Sequence, residues 1–474
     1  LSGPSRDAAG LASRLRRRVG RTPLLRALEQ AARDSGARLY LVGGAVRDAA
    51  LGRPTADLDL VVASRATALV AELRRRFGTR GFRFRKRGVT TFRFHVDGRT
   101  VDLVDAARRG LARDLARRDL TINAMAFDLV SGRLVDPERG RADLVARRLR
   151  PPRESAFRED ALRALRLCRF LAQLPDFRAS ARTERLAAAA HRALARTPVE
   201  RVRLELDRLL SGPDPRRGLA ALARLGLRGA VLPELEPLER CAAGRERPDV
   251  WTHTLAALDV CAARRSVGGV PCPAGEDALV LRWALLLHDV AKPDTLAIGA
   301  DGRPTFHGHE VLGERRADGI LRRLRAPGDR RARVRRLVRH HLRPGLLADA
   351  GSPERGLRRL AREAAPDLAL LCRHAACDAL ASGGPEAPAR WRRLRGVLRA
   401  LAGREAALGG AQRPVLVDGR DVMRVLGIEP GPAVGRALEA LLVEHEEGRL
   451  ATREDALAWL AAQASATPER PSGA

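Results

Sequence analysis

The apolar positions of this chain fall into two regimes. Up to about residue 150, short apolar runs and alternating stretches are interleaved with turns; beyond it, helical spacing dominates to about residue 460. Residues 1–37 read as a loose start followed by a helix from Pro23 to about Ser35, with Leu24, Leu25 and Leu28 on one side and Gly36 as its stop. The run Leu39–Val42 ends at Gly43-Gly44, and Pro54 marks the loop before Leu58 and Leu60. Tyr40 to Val62 therefore predicts strand, glycine turn, short helix, loop and second strand. Thr67–Phe77 reads as a helix packed through Ala68, Leu69, Ala71 and Leu73. From Gly81 to Val104 the pattern alternates through Phe82, Phe84, Phe92, Phe94, Val96, Val101 and Leu103, with Asp97-Gly98 as a hairpin turn. Several strands this close to the first two predict a small mixed sheet.

Composition adds a partner class. Lys and Arg total 88 against 57 Asp and Glu, a net charge of +31 over 474 residues. A polyanion such as nucleic acid suits that balance. Only Lys86 and Lys292 are lysines in a chain rich in Ala, Arg and Leu, so the sign of the charge informs more than its size. Aromatic residues make up 3%, which argues against extended base stacking as the main mode of recognition. The six cysteines (Cys168, Cys241, Cys261, Cys272, Cys372 and Cys377) show no paired CxxC spacing and read as free thiols in a reducing compartment. The N-terminus has no apolar stretch after its arginines, and no segment reaches the ~18–20 apolar residues of a spanning helix. A cytoplasmic protein without membrane association is expected, and no obligate protein partner is evident.

The chemistry starts in the first strand–turn–strand unit. Residues two apart in an extended segment share a face, so Asp57 and Asp59 project side by side while Leu58 and Leu60 face a core. Gly43 and Gly44 let backbone N–H groups approach a ligand, and Arg47, about one helical turn on, reaches the same anion. Two carboxylates beside such a turn suit Mg²⁺ ions bridging a nucleoside triphosphate. A bare pair of aspartates is ordinarily solvated charge. With GGAVRD upstream at this spacing, the stretch resembles the tRNA nucleotidyltransferase and bacterial poly(A) polymerase family, in its bacterial-type branch.

The resemblance assigns roles further along. It places a third carboxylate on the strand that ends near Val104; Asp102 is the choice and Asp105 the runner-up, against a plain surface hairpin charge. Arg117-Arg118-Asp119-Leu120-Thr121-Ile122-Asn123-Ala124-Met125-Ala126 alternates polar and apolar residues like an N-cap and helix start. In the resembled family this string contacts ribose and triphosphate: Arg118 would meet phosphate, and Asp119 with Asn123 would orient the ribose side. Asp136-Pro137, Gly140 and Asp143-Leu144 form a turn that resembles the hinge between head and neck. In Phe157–Phe170, Asp160, Arg163, Arg166 and Arg169 are spaced three apart along one drifting helix face. By themselves they read as a solvated charged face. The family's EDxxRxxRxxR motif makes Asp160 and Arg163 a protein template for the Watson–Crick edge of the incoming base, with Arg166 and Arg169 approaching the triphosphate. Thr197–Leu210 reads as a capped helix matching the family's neck.

A second centre follows. Six of the ten histidines lie between His253 and His341. An adjacent His288-Asp289 after an apolar run, with His253 before it and Asp378 after it, resembles the HD-hydrolase pattern. That resemblance makes His253, His288, Asp289 and Asp378 the shared ligands of a divalent transition metal. His309 and His340 would hold a second metal or contact phosphate, and Lys292, one turn past the pair, would hold a phosphate oxygen. In the tail, Val415 to Met423 and Leu426 to Gly435 read as strand, helix, Pro/Gly turn and helix; Gly431–Gly435 either contacts RNA phosphate or is a packing turn.

The expected architecture is α+β: a small nucleotidyltransferase α/β head followed by a long all-α neck, HD and tail region. The expected domains are an extension (1–37), head (38–150), neck (151–245), HD domain (246–385) and tail (386–474). The implied function is template-independent addition of CCA to the 3′ end of tRNA from CTP and ATP, with Mg²⁺ in the head and HD phosphohydrolase chemistry beside it. The acceptor end of tRNA, ATP and CTP are the expected partners. Poly(A) polymerase, CC-only or A-only addition, an HD hydrolase with a tRNA-binding head, and a non-catalytic RNA binder are the alternatives.

Overall fold

The computed structural model describes residues 4–54, 58–86, 89–96, 98–242, 249–267, 269–383, 386–408, 416–446 and 449–465. It divides into two compact units, Leu1–Ala402 and Gly403–Ala474.

The first unit begins with α1 (Pro4–Arg21) and α2 (Pro23–Ser35). The first of these corrects the loose start expected from sequence. Leu11, Leu15 and Val19, four apart, are buried, and Arg16 donates to Glu29 at 3.1 Å and to the Leu129 carbonyl at 2.9 Å. The arginines between those apolar positions obscure the stripe in the sequence. Gly36 ends α2 in the left-handed conformation, as its position suggested.

Then come β1 (Leu39–Val42), α3 (Gly44–Ala50), β2 (Leu58–Val62), α4 (Ala66–Phe77), β3 (Phe82–Lys86), β4 (Val89–Val96), β5 (Arg99–Asp105), α5 (Leu111–Ala116), β6 (Ala126–Asp128) and β7 (Leu134–Val135). The sheet is mixed and seven-stranded, in the order β3-β4-β5-β2-β1-β6-β7. Only the β2–β5 pairing is parallel; the others are antiparallel. Its two faces are chemically distinct because side chains alternate. Leu39, Leu41, Leu58, Leu60, Val62, Phe94, Val101 and Leu103 join the large core shared with α1, α2 and α4. The opposite face carries a small cluster of Tyr40, Val42, Val61, Ala106, Leu115, Ala124 and Ala126 and, beyond it, Asp59 and Asp102.

A hinge follows the sheet. Asp136 accepts from the backbone N–H groups of Gly140 and Arg141, starting α6 (Gly140–Val145). Buried Asp143 accepts from the Thr121 hydroxyl at 2.7 Å and from Arg150 at 3.0 Å. The pair α7 (Ala156–Glu159) and α8 (Leu162–Gln173) comes next. Asp160 has extended backbone and breaks the chain between them, so the expected single helix is two, and Asp160 precedes the arginine ladder rather than riding on it. Helices Val199–Leu210 and Pro215–Arg224 pack against α8. The first starts at Pro198 with no side-chain cap, unlike the capped start expected.

Beyond the neck, helices Val250–Ala263, Gly275–Leu287, His309–Arg323, Gly328–His340 and Leu368–Ser382 form a bundle. It is fastened to the neck through buried Asp207, which accepts from Trp283 Nε1, Arg203 and Arg330, each at 2.8 Å. The second unit has a core of its own around Val417, Val422, Leu441, Leu450, Ala456 and Leu460. Leu416 and Val417 form a bend instead of the expected strand: Val417 is buried in that core and no strand lies beside it among the described residues. A capping box at Asp418 starts the helix Gly419–Leu426. Among the described residues, no helix is long and apolar enough to cross a membrane, and the six cysteines are free thiols.

Gly140 tests the hinge. A Cβ there would lie 2.1 Å from the Thr121 carbonyl oxygen, which is backbone and cannot yield cheaply. Gly140→Ala is expected to lower the unfolding free energy by about 1–3 kcal/mol. Exposed Gly319, inside a helix with open space around it, is the control: Gly319→Ala is expected to raise stability by about 0.5–1 kcal/mol. Urea unfolding of the two variants measures both.

Candidate active sites

A cleft of about 890 Å³ opens between the sheet and α8. Gly43, Gly44, Arg47, Asp59, Arg93, Asp102, Arg118, Asp119, Asn123, Asp160, Arg163, Arg166 and Arg169 all line it. The parallel register sets Asp59 directly opposite Asp102 on the face away from the large core. Asp102 is thus on the cleft side of β5. Asp105, the runner-up, is opposite Val62 and accepts from the Ala107 N–H. Asp57 lies outside the described residues.

The glycine turn is fixed by close approach. Gly43 has φ of +72°, and a Cβ there would stand 2.7 Å from Arg118 NH1 and 3.2 Å from Asp59 Oδ2. Any side chain would push the cation and the carboxylate out of place. Arg47 packs its guanidinium over the Phe170 ring at 5.3 Å, donates to Asn123 Oδ1 at 2.7 Å and pairs with Asp48. The motif around Asn123 forms a single 3₁₀ turn, Thr121–Asn123, rather than a longer helix start. Asp119 is buried before it. Its Oδ1 accepts from the Leu120 N–H and Asn123 Nδ2, and its Oδ2 lies 2.8 Å from Arg166. Burial opposes its charge, but Arg166, Asn123 and Arg169 outweigh burial and hold the carboxyl at about 2.

The ladder on α8 is braced from the neck. Buried Glu205 lies 3.1 Å from Arg169 Nε, and Arg169 stacks over Phe170 at 4.2 Å. Burial pulls the Arg169 guanidinium down to about 10, with Glu205 acting against it. Arg163 donates to the carbonyls of Ala156 and Arg117. Asp160 Oδ2 accepts from Arg201 at 2.8 Å. Sequence reasoning missed Arg93, Arg201, Glu205 and Phe170. Arg93 makes a bidentate pair with Asp102, both contacts 2.6 Å, and nothing in a strand of alternating residues marks it in advance.

The second centre lies inside the helical bundle and is built on Asp289. Its Oδ2 is 3.1 Å from His288 Nε2 and 3.8 Å from His253 Nε2; its Oδ1 is 3.3 Å from His309 Nε2 and 3.8 Å from His341 Nε2. Asp378 Oδ1 lies 2.8 Å from His253 Nε2 and 3.7 Å from His288 Nε2. Two ligand groups result: His253, His288 and Asp378, and Asp289, His309 and His341. His341 therefore takes the position expected for His340. The ring of His340 points to Glu363 instead, 4.0 Å away. Helical phase explains the exchange: Val334, Leu337 and Val338 form the buried stripe, and His341 continues it. His374, also missed, is buried with its ring centroid 5.3 Å from that of His288. Lys292 pairs with Asp289 Oδ2 at 2.7 Å.

The donor set fits a divalent cation. His288, His309 and His341 each set Nδ1 against a carbonyl three residues earlier, at 2.9, 2.7 and 2.7 Å. A ring N–H donating there leaves the Nε2 lone pair facing the cluster. His309 Nε2 and His341 Nε2 are only 3.2 Å apart, and His288 Nε2 and Asp289 Oδ1 are buried without a hydrogen-bond partner. Lone pairs so crowded repel unless a cation lies among them. Burial and the neighbouring His288 hold His341 at about 3, so its ring is neutral, as a ligand must be.

Comparison with known proteins agrees with both centres. Residues 39–150 match the family described as Poly A polymerase head domain, 176–239 that described as Probable RNA and SrmB- binding site of polymerase A, and 250–381 the HD domain. The A-adding tRNA nucleotidyltransferase of Deinococcus radiodurans is 38% identical, covering 90% of this chain and 96% of its own. The CC-adding tRNA nucleotidyltransferase of Thermus thermophilus is 37% identical, covering 91% and 96%. The Bacillus stearothermophilus CCA-adding enzyme, solved in complex with CTP, superposes with a TM-score of 0.60 at 25% identity, covering 92% of this chain and 95% of that one. A glycine turn against paired carboxylates, an arginine ladder and a His–Asp bundle thus come together in a chain that belongs to the CCA-adding tRNA nucleotidyltransferase family, with the head of poly(A) polymerases and an HD domain.

Proposed function

We propose that the cleft adds nucleotides from CTP and ATP to the 3′ end of tRNA, building its CCA terminus. The observation that carries this is the alignment of Asp59 with Asp102 beneath the Gly43 turn, in one cleft with Arg118, Arg166 and Arg169. The tRNA 3′-hydroxyl oxygen attacks the α-phosphorus of the nucleotide, the bond to the bridging oxygen breaks, and pyrophosphate leaves with the electron pair. Asp57 and Asp59, with Asp102, would hold Mg²⁺, which when bound would lower the pKa of the attacking hydroxyl and offset the triphosphate charge. Gly43, Gly44, Arg118, Arg166 and Arg169 seat the phosphates. Asp119 and Asn123, tied to each other and to Arg47, fix the ribose side. Asp160 and Arg163 present acceptor and donor to the base edge, and Arg201 fixes the position of Asp160.

A narrower reading has one observation in its favour. Two relatives that match nine-tenths of this chain are each specialised, one A-adding and one CC-adding. In that reading this chain supplies only its share of the terminus. At the second centre, we propose a metal-dependent phosphohydrolase acting on phosphate esters at RNA ends, as a phosphatase, 2′-nucleotidase or cyclic phosphodiesterase. His253, His288, Asp289, Asp378, His309 and His341 would hold a divalent ion, which when bound would lower the pKa of an attacking water, and Lys292 would meet a phosphate oxygen.

Incubation of tRNA transcripts lacking CCA, CA or A, or complete, with labelled CTP and ATP separates the readings. Ordered C, C, A addition that stops is the expected product. Addition limited to C or to A identifies the specialised enzyme, long A tails a poly(A) polymerase, and no incorporation overturns the transferase proposal. Asp59→Asn and Asp102→Asn are each expected to lower kcat about 10³-fold.

Asp119→Asn is expected to lower stability at neutral pH by about 2–3 kcal/mol, because Arg166 loses its buried counter-charge. The folded-state value, about 2, is below the ordinary value of 3.8. The stabilisation is therefore complete above pH 3.8 and is lost as pH falls through about 2. Urea unfolding across that window should show the gap between wild type and variant closing toward acid.

Metal content tests the second centre. After equilibration with Mn²⁺ or Co²⁺ and desalting, His309→Ala and His341→Ala are expected to retain about half of the wild-type metal, because both residues belong to only one of the two ligand groups. His340→Ala is expected to retain all of it.

A further inference from the structure

We propose that the β3–β4–β5 edge of the head is a stacking platform for the unpaired 3′ end of the RNA substrate. The proposal rests on the nucleotidyl-transfer reading of the cleft. Directly opposed residues in neighbouring strands share a face. The register runs Asp59 to Asp102, Asp102 to Arg93 and Arg93 to Phe82, so one line of side chains crosses four strands on the cleft face. It starts at the reacting carboxylates and ends on an aromatic ring that is 50% exposed.

Aromatic residues are scarce in this chain, yet four of its ten phenylalanines stand on β3 and β4. Phe92 and Phe94 serve the core. Phe82 and Phe84 belong to neither hydrophobic cluster of the head. Their rings lie 6.0 Å apart at 36°, and His95 lies 6.2 Å from Phe82. Arg93 reaches both, 6.0 Å from the Phe82 centroid and 5.4 Å from that of Phe84. The cation holds the rings in place from the same position at which it grips Asp102. Core packing does not require large aromatic rings on the wet face of an edge hairpin.

Continuity and charge select the occupant. Arg93 and Thr100 line the catalytic cleft and also border the platform, so whatever rests on Phe82 continues into the site. Phe82 stands two strands, about 10 Å, from Asp102, within reach of the nucleotides just behind the terminal hydroxyl. Exposed Arg83 and Arg85, alternating with the phenylalanines on the other face of β3, add positive charge along the same edge. Unpaired bases stack on aromatic faces while arginines meet their phosphates, and each base so stacked strengthens binding by about tenfold or more. The occupant is single-stranded RNA, and the stacking accepts any base.

The test uses the full chain and an RNA hairpin whose unpaired, incomplete 3′ end carries 2-aminopurine next to the terminal nucleotide. Binding to wild type and to Phe82→Tyr is expected to quench the fluorescence. Phe82→Ala is expected to lose the quenching and to raise KM for RNA about tenfold, with KM for CTP and ATP unchanged and the same thermal midpoint as wild type. Unchanged quenching and RNA KM in Phe82→Ala would overturn the platform, as would an equal rise in the KM values for RNA and nucleotide. Incorporation by wild type alongside an inert Phe82→Ala substitution rejects the platform alone. Phe82-dependent quenching in a wild type that incorporates nothing supports the platform and rejects the transferase reading.

Discussion

The contact on which the nucleotide cleft depends is ionic and buried: Asp119 from the head against Arg166 on α8, continued through Arg169 to Glu205 in the neck. Sheet and neck share one large hydrophobic core, and where they face each other across the cleft they are joined by a set of charges, with Asp119, Arg169 and Glu205 buried and Arg166 partly exposed. An unpaired charge at these positions would cost several kcal/mol, so the interface tolerates little drift. Asn123 extends the set to Arg47, and through it to the glycine turn. Arg47, Asp119, Asn123 and Arg166 are thereby held from both sides of the cleft by one network.

The second centre relies on a different device. The two oxygens of one carboxylate, Asp289, face two sets of imidazoles, and carbonyls three residues upstream fix three of the rings. That geometry is specified by helix ends: His288 and His341 follow last helical turns, where backbone carbonyls still lack partners, and His309 begins a helix with its ring against the Phe306 carbonyl just before it. The same ends satisfy the backbone and orient the ligands.

Much of this was legible in the sequence where a local pattern carried the information. Alternation announced β3, β4 and β5; the glycine pair announced the turn after β1; motif spacing placed Asp59, Asn123, Arg166 and His288 near their partners. What escaped depended on long-range pairing or on helical phase. Arg93 and Arg201 gain their meaning from strands and helices that fold against them, at separations of 9 and 41 residues from Asp102 and Asp160. The exchange of His340 for His341 was available from the stripe Val334, Leu337, Val338, but adjacent identical residues hide a 100° difference in direction. The helix at Pro4–Arg21 was masked by the arginines Arg14, Arg16, Arg17 and Arg18 interleaved with its apolar stripe. Short β6 and β7 are apolar segments with too few residues to show any period.

Asp207 has an implication for how the activities coexist. Its carboxylate, on a neck helix, is satisfied by Trp283 and Arg330 of the HD bundle, and Trp283 is itself wholly enclosed. The HD bundle is therefore also part of the scaffold that keeps α8 in place. Loss of the HD metal ligands would leave this contact intact, whereas loss of the bundle would leave Asp207 with Arg203 alone and an open seam beside the cleft. Retention of the HD fold and retention of its chemistry are, for this architecture, separable matters under separate selection.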